Sequence, residues 1–307
     1  MLFGVWHVKG GFRSLARSMQ RAAESLGVKF CFNTPVAHLW VDDASGKPLT
    51  KGVILEDGRR LVSDAVVINA DLAAAAQKMI PNRYRRFGRI SDVALNNAQY
   101  SCSTMMLYLG LDTRYDQLPH HLIYLSDAVR RTDRDSLEDR LLNDNDPAFY
   151  VCNPTVTDRA GAPDGHSTMY VLIPTPHTGR AVDWARAEEV LADRALDWLE
   201  KVGIQSIRQH VRAKRVCSAP SWRDQYAVHL GAVFNLSHTW LQLGPARPSV
   251  KSRDIDGLFW VGGGTHPGSG LLTILESANI VGDYLSRAKG LGALKRWPMI
   301  ATQPLSL

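Results

Sequence analysis

The chain has 307 residues, 45% of them hydrophobic and 21% charged, which is enough for one large or two ordinary domains and excludes a disordered chain. Its net charge of +6 comes without a base-stacking array or nucleic-acid motif, so nucleic acid is not expected as a partner and an anionic membrane surface is. Cys31, Cys102, Cys152 and Cys217 stand far apart with no CxxC pair, which argues against zinc ribbons and redox disulfides and for reduced thiols in the cytoplasm. No leader follows Met1, and no run approaches the roughly 20 apolar residues of a membrane span, so the expectation is a soluble or peripherally membrane-associated protein.

Gly10-Gly11 makes a turn, and residues 12–26 read as a helix. Leu15, Met19, Ala22, Ala23 and Leu26 share one face, and Gly27 fits its C′ position. Val28 to Phe32 reads as a strand, Asn33-Thr34-Pro35 as a turn, and Val36 to Val41 as a second strand. Gly52 to Leu55 is a third, joined through the hairpin signal Asp57-Gly58 to a short strand at Leu61-Val62. Ala65-Val66-Val67-Ile68 is continuous and apolar, the pattern of a strand buried on both faces. Asp71 is a candidate N-cap for an alanine-rich helix reaching Met79. Between Pro81 and Arg89, four arginines interleave with Tyr84 and Phe87, which suits either a solvated surface or a membrane-facing patch.

From about Val93 the composition changes. Met105 to Leu109 and Met169 to Ile173 are strand-like, and residues 188–202 form an amphipathic helix with Leu191, Ala195, Trp198, Leu199 and Val202 inward. Long polar stretches such as residues 126–146 separate these strands, so a second domain on a mixed or antiparallel sheet is expected. Near Val216 the chain is expected to return to the first domain.

The most informative stretch is GLFWVGGGTHPGSGLLTILESANIVGDYL, Gly257 to Leu285. Leu258 to Val261 suits a buried strand, and Gly262-Gly263-Gly264 and Thr265 to Gly270 form a turn. Leu271, Leu275, Ala278, Gly282 and Leu285 then recur on one face of a helix. A strand, a glycine turn and a helix N-terminus can cradle a polar ligand, because glycines admit it to bare backbone and first-turn N–H groups favour electron-rich atoms. The same pattern also suits a tight connection with no ligand. The tail after Arg287, with Lys295-Arg296-Trp297, reads as a disordered terminus or an interfacial anchor.

VGGGTHPGSGLLTILESA resembles the C-terminal flavin-binding signature of the bacterial phytoene desaturases, a family of FAD-dependent carotenoid desaturases. Tyr100 to Ser103, Tyr108 to Leu111, Pro119-His120-His121, Tyr150 to Asp158 and Tyr170 to Pro174 follow that family's order. The resemblance runs from Lys9 to about Arg287. It implies an α/β (α+β) fold, with part of a Rossmann-like FAD-binding domain of the two-dinucleotide-binding flavoprotein type in residues 1–92 and 216–288. It places a mixed-sheet substrate domain in residues 93–215 and a tail in 289–307. The family's opening strand–GxGxxG–helix, which holds the FAD pyrophosphate, has no counterpart, since no GxGxxG occurs in these residues. The chain therefore resembles the C-terminal portion of a desaturase, with a missing N-terminal half as one expected partner.

The resemblance further implies FAD-dependent desaturation of a long polyisoprenoid, phytoene or a related carotenoid precursor, by hydride transfer to flavin, with oxygen or a quinone as electron acceptor. The backbone of Val36 would meet the adenosine part of FAD, near Asn69-Ala70-Asp71. Gly263, Gly264 and Thr265 would line the ribityl and flavin edge, with Gly270 in the same turn. Leu271, Leu272 and Thr273 would offer first-turn N–H groups to the pyrimidine ring. His266 would lie beside the flavin, in proton transfer or as a hydrogen bond holding Pro267-Gly268. Met105, Met106, Tyr108 and Tyr170 are suitable tunnel lining, though such residues also serve as plain core. His120-His121 and His266 lack HxxxH or HExxH spacing, so no metal is expected, and no GxSxG supports a hydrolase. Two alternatives stay open: a carotenoid isomerase or retinoid saturase activity on the same fold, and a truncated, non-catalytic module that binds lipid or a partner half.

Overall fold

The computed structural model describes residues 6–44, 46–85, 88–125 and 148–288. The polar stretch at 126–146, Arg86-Phe87 and the tail beyond Ala288 lie outside the described residues. In chain order the helices and strands are α1 (Gly11–Ser25), β1 (Val36–Asp42), β2 (Leu49–Leu55), β3 (Arg60–Val62), β4 (Val66–Ile68), α2 (Leu72–Met79) and α3 (Asp92–Asn96). There follow β5 (Ser103–Leu111), β6 (His121–Tyr124), β7 (Phe149–Cys152), β8 (Ser167–Thr175), α4 (Trp184–Lys201), α5 (Ile207–His210), β9 (Val211–Cys217), α6 (Ala219–Tyr226), β10 (Leu258–Trp260) and α7 (Leu271–Ala288). They form two compact units, Met1–Thr34 with Tyr100–Val233 and Pro35–Gln99 with Phe234–Leu307.

The first unit is built on a five-stranded sheet, order β6-β7-β8-β5-β9, antiparallel throughout. Alternation along the strands sends Met105, Leu107 and Leu109, with Phe149 and Val151, and Met169, Val171 and Ile173, to one face. That face is buried in one core with Leu191, Ala195, Trp198 and Leu199 of α4. Each such side chain contributes about 1.5–3 kcal/mol on full burial, so this layer is the main source of the unit's stability. Met106, Tyr108, Tyr150, Cys152 and Tyr170 alternate to the other face. Met105, expected to line a tunnel beside Met106 and Tyr108, belongs to the core instead, because adjacent strand residues point opposite ways.

Helix α1 ends as expected. The N–H of Gly27 donates to the Glu24 carbonyl and that of Val28 to the Ala23 carbonyl, with Gly27 left-handed. Its apolar face is not buried: Phe12, Met19 and Leu26 are exposed. The strand expected at Val28 to Phe32 does not form, since no neighbouring strand pairs with it among the described residues, and Phe30 and Phe32 stack on each other at the surface.

In the second unit β1, β2 and β3 make an antiparallel sheet, while β4 and β10 pair in parallel, Val66 with Leu258 and Ile68 with Trp260. Val67 is exposed, so β4 is not buried on both faces as its apolar run suggested. Asp71 caps α2 by accepting from the Ala74 N–H at 3.0 Å. The basic run after Pro81 folds partly inward. Tyr84 is buried and donates to Asp43, with the Arg83 guanidinium over its ring, and Arg85 is buried, donating to the Ile80 carbonyl and paired with Asp92. Tyr84 and Arg85 are thereby removed from any membrane-facing patch.

Candidate functional site

Two connections leave the carboxyl ends of the parallel strands side by side: Asn69 to Asp71 after β4, and Val261 to Gly270 after β10. The Val261 N–H donates to the Ile68 carbonyl, and a Cβ on Gly262 would sit 3.3 Å from Asn69 Oδ1. In open sheets with parallel strands, this edge is where ligands bind.

The turn is held by groups from well separated parts of the chain. Gly262, left-handed at φ 110, donates its N–H to the buried Ser277 Oγ, which donates in turn to the Ile274 carbonyl. Thr265, buried, donates Oγ1–H to the Gly262 carbonyl. The Gly263 carbonyl accepts from Nε and Nη2 of Arg247 at 3.0 and 2.8 Å. Arg247 is only 2% exposed, and its remaining donors reach the Leu236 and Gln242 carbonyls. Burial lowers its pKa, and the carbonyl dipoles around the guanidinium compensate part of its lost hydration. Gly264 has no room for a side chain: a Cβ would lie 2.6 Å from Leu72 Cβ and 2.8 Å from Asn235 Oδ1. Asn235, left-handed, donates to Asp71 Oδ2, tying this wall to the cap of α2.

His266 uses both backbone and ring in the turn. Its N–H donates to the Pro248 carbonyl, and Nδ1 lies 3.0 Å from the Gly244 carbonyl. A carbonyl only accepts, so Nδ1 carries the proton and Nε2 is the basic nitrogen. Gly268 and Gly270 have positive φ, and Thr273 Oγ1 donates back to the Ser269 and Gly270 carbonyls. At the start of α7, Leu271 is 52% and Leu272 84% exposed. The helix buries Ser277 and Val281, with Ile280 and Leu285 packed against that core, so of the apolar face read in the sequence Leu285 packs while Leu271, Leu275 and Ala278 are exposed.

Gly263, Gly264, Thr265, His266, Gly270, Leu271, Leu272 and Thr273 thus share one strand–turn–helix connection. Val36 opens β1 opposite Leu55 in the antiparallel sheet and is not among the turn's hydrogen-bond partners. Arg247, Ser277 and Asn235 went unassigned in the sequence, where nothing marks the distant carbonyls and N–H groups they serve. The exposed leucines, free first-turn N–H groups and bare glycine backbone fit the ring end of a flavin, which offers a flat apolar face and an electron-rich pyrimidine edge. Among the described residues no helix is long and apolar enough to cross a membrane.

A family profile described as flavin containing amine oxidoreductase matches residues 2–279. The all-trans-zeta-carotene desaturase of Myxococcus xanthus is 59% identical, over 98% of this chain and 56% of that protein. A 4,4'-diapophytoene desaturase (4,4'-diapolycopene-forming) of Methylomonas sp is 36% identical, over 93% of this chain and 54% of its own length. The chain spans about half the length of these curated relatives. An oxidoreductase of Methanosarcina mazei superposes with a TM-score of 0.56 at 14% identity, over 89% of this chain and 54% of that one, which is a likeness of fold. That profile match takes in the glycine turn and nearly the whole chain: the chain belongs to the flavin containing amine oxidoreductase family.

Proposed function

We propose that this chain holds the ring end of FAD and part of the polyene site of a carotenoid desaturase, which in its whole form desaturates a long polyisoprenoid. The observation that carries the reading is the Gly262–Thr273 connection at the carboxyl ends of β4 and β10. When bound, FAD supplies the two-electron acceptor that a hydrocarbon without an acid–base handle requires. Gly263 would present bare backbone to it, the buried Gly264 would hold the turn against Leu72 and Asn235, and Leu271, Leu272 and Thr273 would offer first-turn N–H groups to its pyrimidine edge. Leu271 and Leu272 cover the ring and exclude water. Arg247, Ser277 and Thr265 keep the turn in this shape. His266, with its proton on Nδ1, offers Nε2 as an acceptor for the proton that leaves the substrate. The backbone of Val36 meets the adenosine part.

In this reading the unit Pro35–Gln99 with Phe234–Leu307 is the cofactor part, and the sheet unit is the substrate part. A cavity of about 440 Å³ on the sheet, lined by Tyr108, Pro154, Tyr170 and Ala213 among others, supports an apolar, flat substrate. A polyene of this length is insoluble in water and must be collected from lipid. Trp240 and Leu241, 93% and 78% exposed, beside Arg89, whose Nη1 donates to the Leu241 carbonyl, suit a membrane interface. One second reading has an observation behind it. The exposed apolar face of α1 favours a chain that works with a partner packed against that face.

The test is to load the protein with FAD, add phytoene or zeta-carotene in liposomes without oxygen, and follow the flavin spectrum and the products. The account predicts flavin bleaching with a more conjugated product. A product of unchanged mass would mean isomerisation. Bound flavin that no polyene reduces would overturn the reading.

A further inference from the structure

We propose that His120, His121 and Cys152 form a site for a borderline-soft divalent metal ion of the zinc(II) class. His120-His121 alone lacks the spacing of a metal motif. The third donor arrives through strand pairing. In the β6–β7 ladder His121 stands directly opposite Cys152, which puts the two side chains on one face about 4.5–5.5 Å apart at Cβ. The His120 carbonyl accepts from the Asn153 N–H at 2.8 Å, which fixes the preceding residue against the same strand end. One nitrogen from each ring and the Cys152 sulfur all lie within 4.8 Å of one another. A single ion needs only a small contraction to reach all three.

The surrounding groups fit ligation as well. His120 Nδ1 is 2.7 Å from Thr157 Oγ1, and His121 Nδ1 is 2.6 Å from the Tyr150 hydroxyl. Metal-bound imidazoles characteristically use one nitrogen for the metal and donate the other N–H to an oxygen, which fixes tautomer and ring orientation. These two hydroxyls hold Nδ1 of each ring, so the proposed site takes Nε2 of each ring for the ion. Two imidazoles and a thiolate suit zinc(II) better than magnesium or calcium, which prefer oxygen. Cys152 is buried, His120 half-buried and His121 exposed, so a fourth position faces solvent and would carry water.

The test uses cobalt(II) as a coloured substitute for zinc on the reduced, metal-free chain, followed by competition with zinc. One equivalent should bind with a thiolate-to-cobalt charge-transfer band and the d–d bands of a four-coordinate ion. Cys152→Ser should abolish the charge-transfer band, and His120→Gln and His121→Gln should each weaken zinc binding by about tenfold or more. Tyr150→Phe, which keeps all three donors, should weaken it by a similar factor through the loss of the hydroxyl that contacts both His121 and Cys152. Cys31→Ser and Cys102→Ser should change nothing. Should the buried Cys152 variant fail to fold by circular dichroism, the exposed His121 variant decides. Binding without a thiolate band, a band that follows Cys31 or Cys102, or affinity unchanged in both histidine variants would overturn the proposal.

Discussion

At the residue scale, the turn depends on contacts that no local pattern announces. Gly264→Val forces a side chain into Leu72 and Asn235, and should destabilise the chain by about 1–3 kcal/mol in urea unfolding. Arg247→Leu strands the buried carbonyl of Leu236 and the half-buried ones of Gly263 and Gln242, at about 1–3 kcal/mol for a buried group left unsatisfied. Arg247→Lys should not restore the loss, because an ammonium cannot present the planar fork that reaches all three. Burial raises the hydroxyl pKa of Tyr108, Tyr115, Tyr150 and Tyr170 above the usual tyrosine value of about 10. The folded chain keeps protons that the unfolded chain releases above about pH 10, so stability falls as pH rises beyond that point. Tyrosinate absorbance should show part of the nine tyrosines ionising only with unfolding. Complete titration of all nine in a chain still folded by circular dichroism would contradict it. The turn was legible in the sequence from its run of glycines, which suits a ligand cradle and a plain connection alike. Arg247 and Ser277 were not, since their partners lie far along the chain.

At the scale of elements, periodicity located α1, α2, α4, α7 and most strands, passed over the shorter α3, α5 and α6, and misjudged which faces are covered. α4 reads correctly because Leu191, Ala195, Trp198 and Leu199 meet a sheet that supplies its own apolar face. α7 is apolar on more than one side: it packs through Val281, Ile280 and Leu285 toward its C-terminal end and leaves Leu271, Leu272 and Leu275 of its first turns exposed. No spacing rule tells which side packs. Val28 to Phe32 has strand-like composition, yet a strand needs a neighbour to take its N–H and C=O groups, which composition does not supply. The exposure of Leu272 gives a sharp prediction. Leu272→Asp should change stability by no more than about 0.5 kcal/mol, as exposed sites do, while lowering FAD affinity severalfold by fluorescence titration. Equal losses in both would make Leu272 a packing residue.

At the scale of the whole molecule, the proposed function divides one chemistry between the two units: a glycine turn for a flavin ring in one, and an aromatic sheet face for a polyene in the other. Collection of that polyene from lipid predicts that Trp240→Ser with Leu241→Ser lowers sedimentation with anionic vesicles and leaves the unfolding midpoint in place. The most direct measurement of the central claim is amide hydrogen exchange of the 307-residue chain with and without excess FAD. The account predicts slowed exchange across Gly263 to Thr273 when FAD is present. Unchanged exchange across that turn, whatever happens elsewhere in the chain, would contradict it.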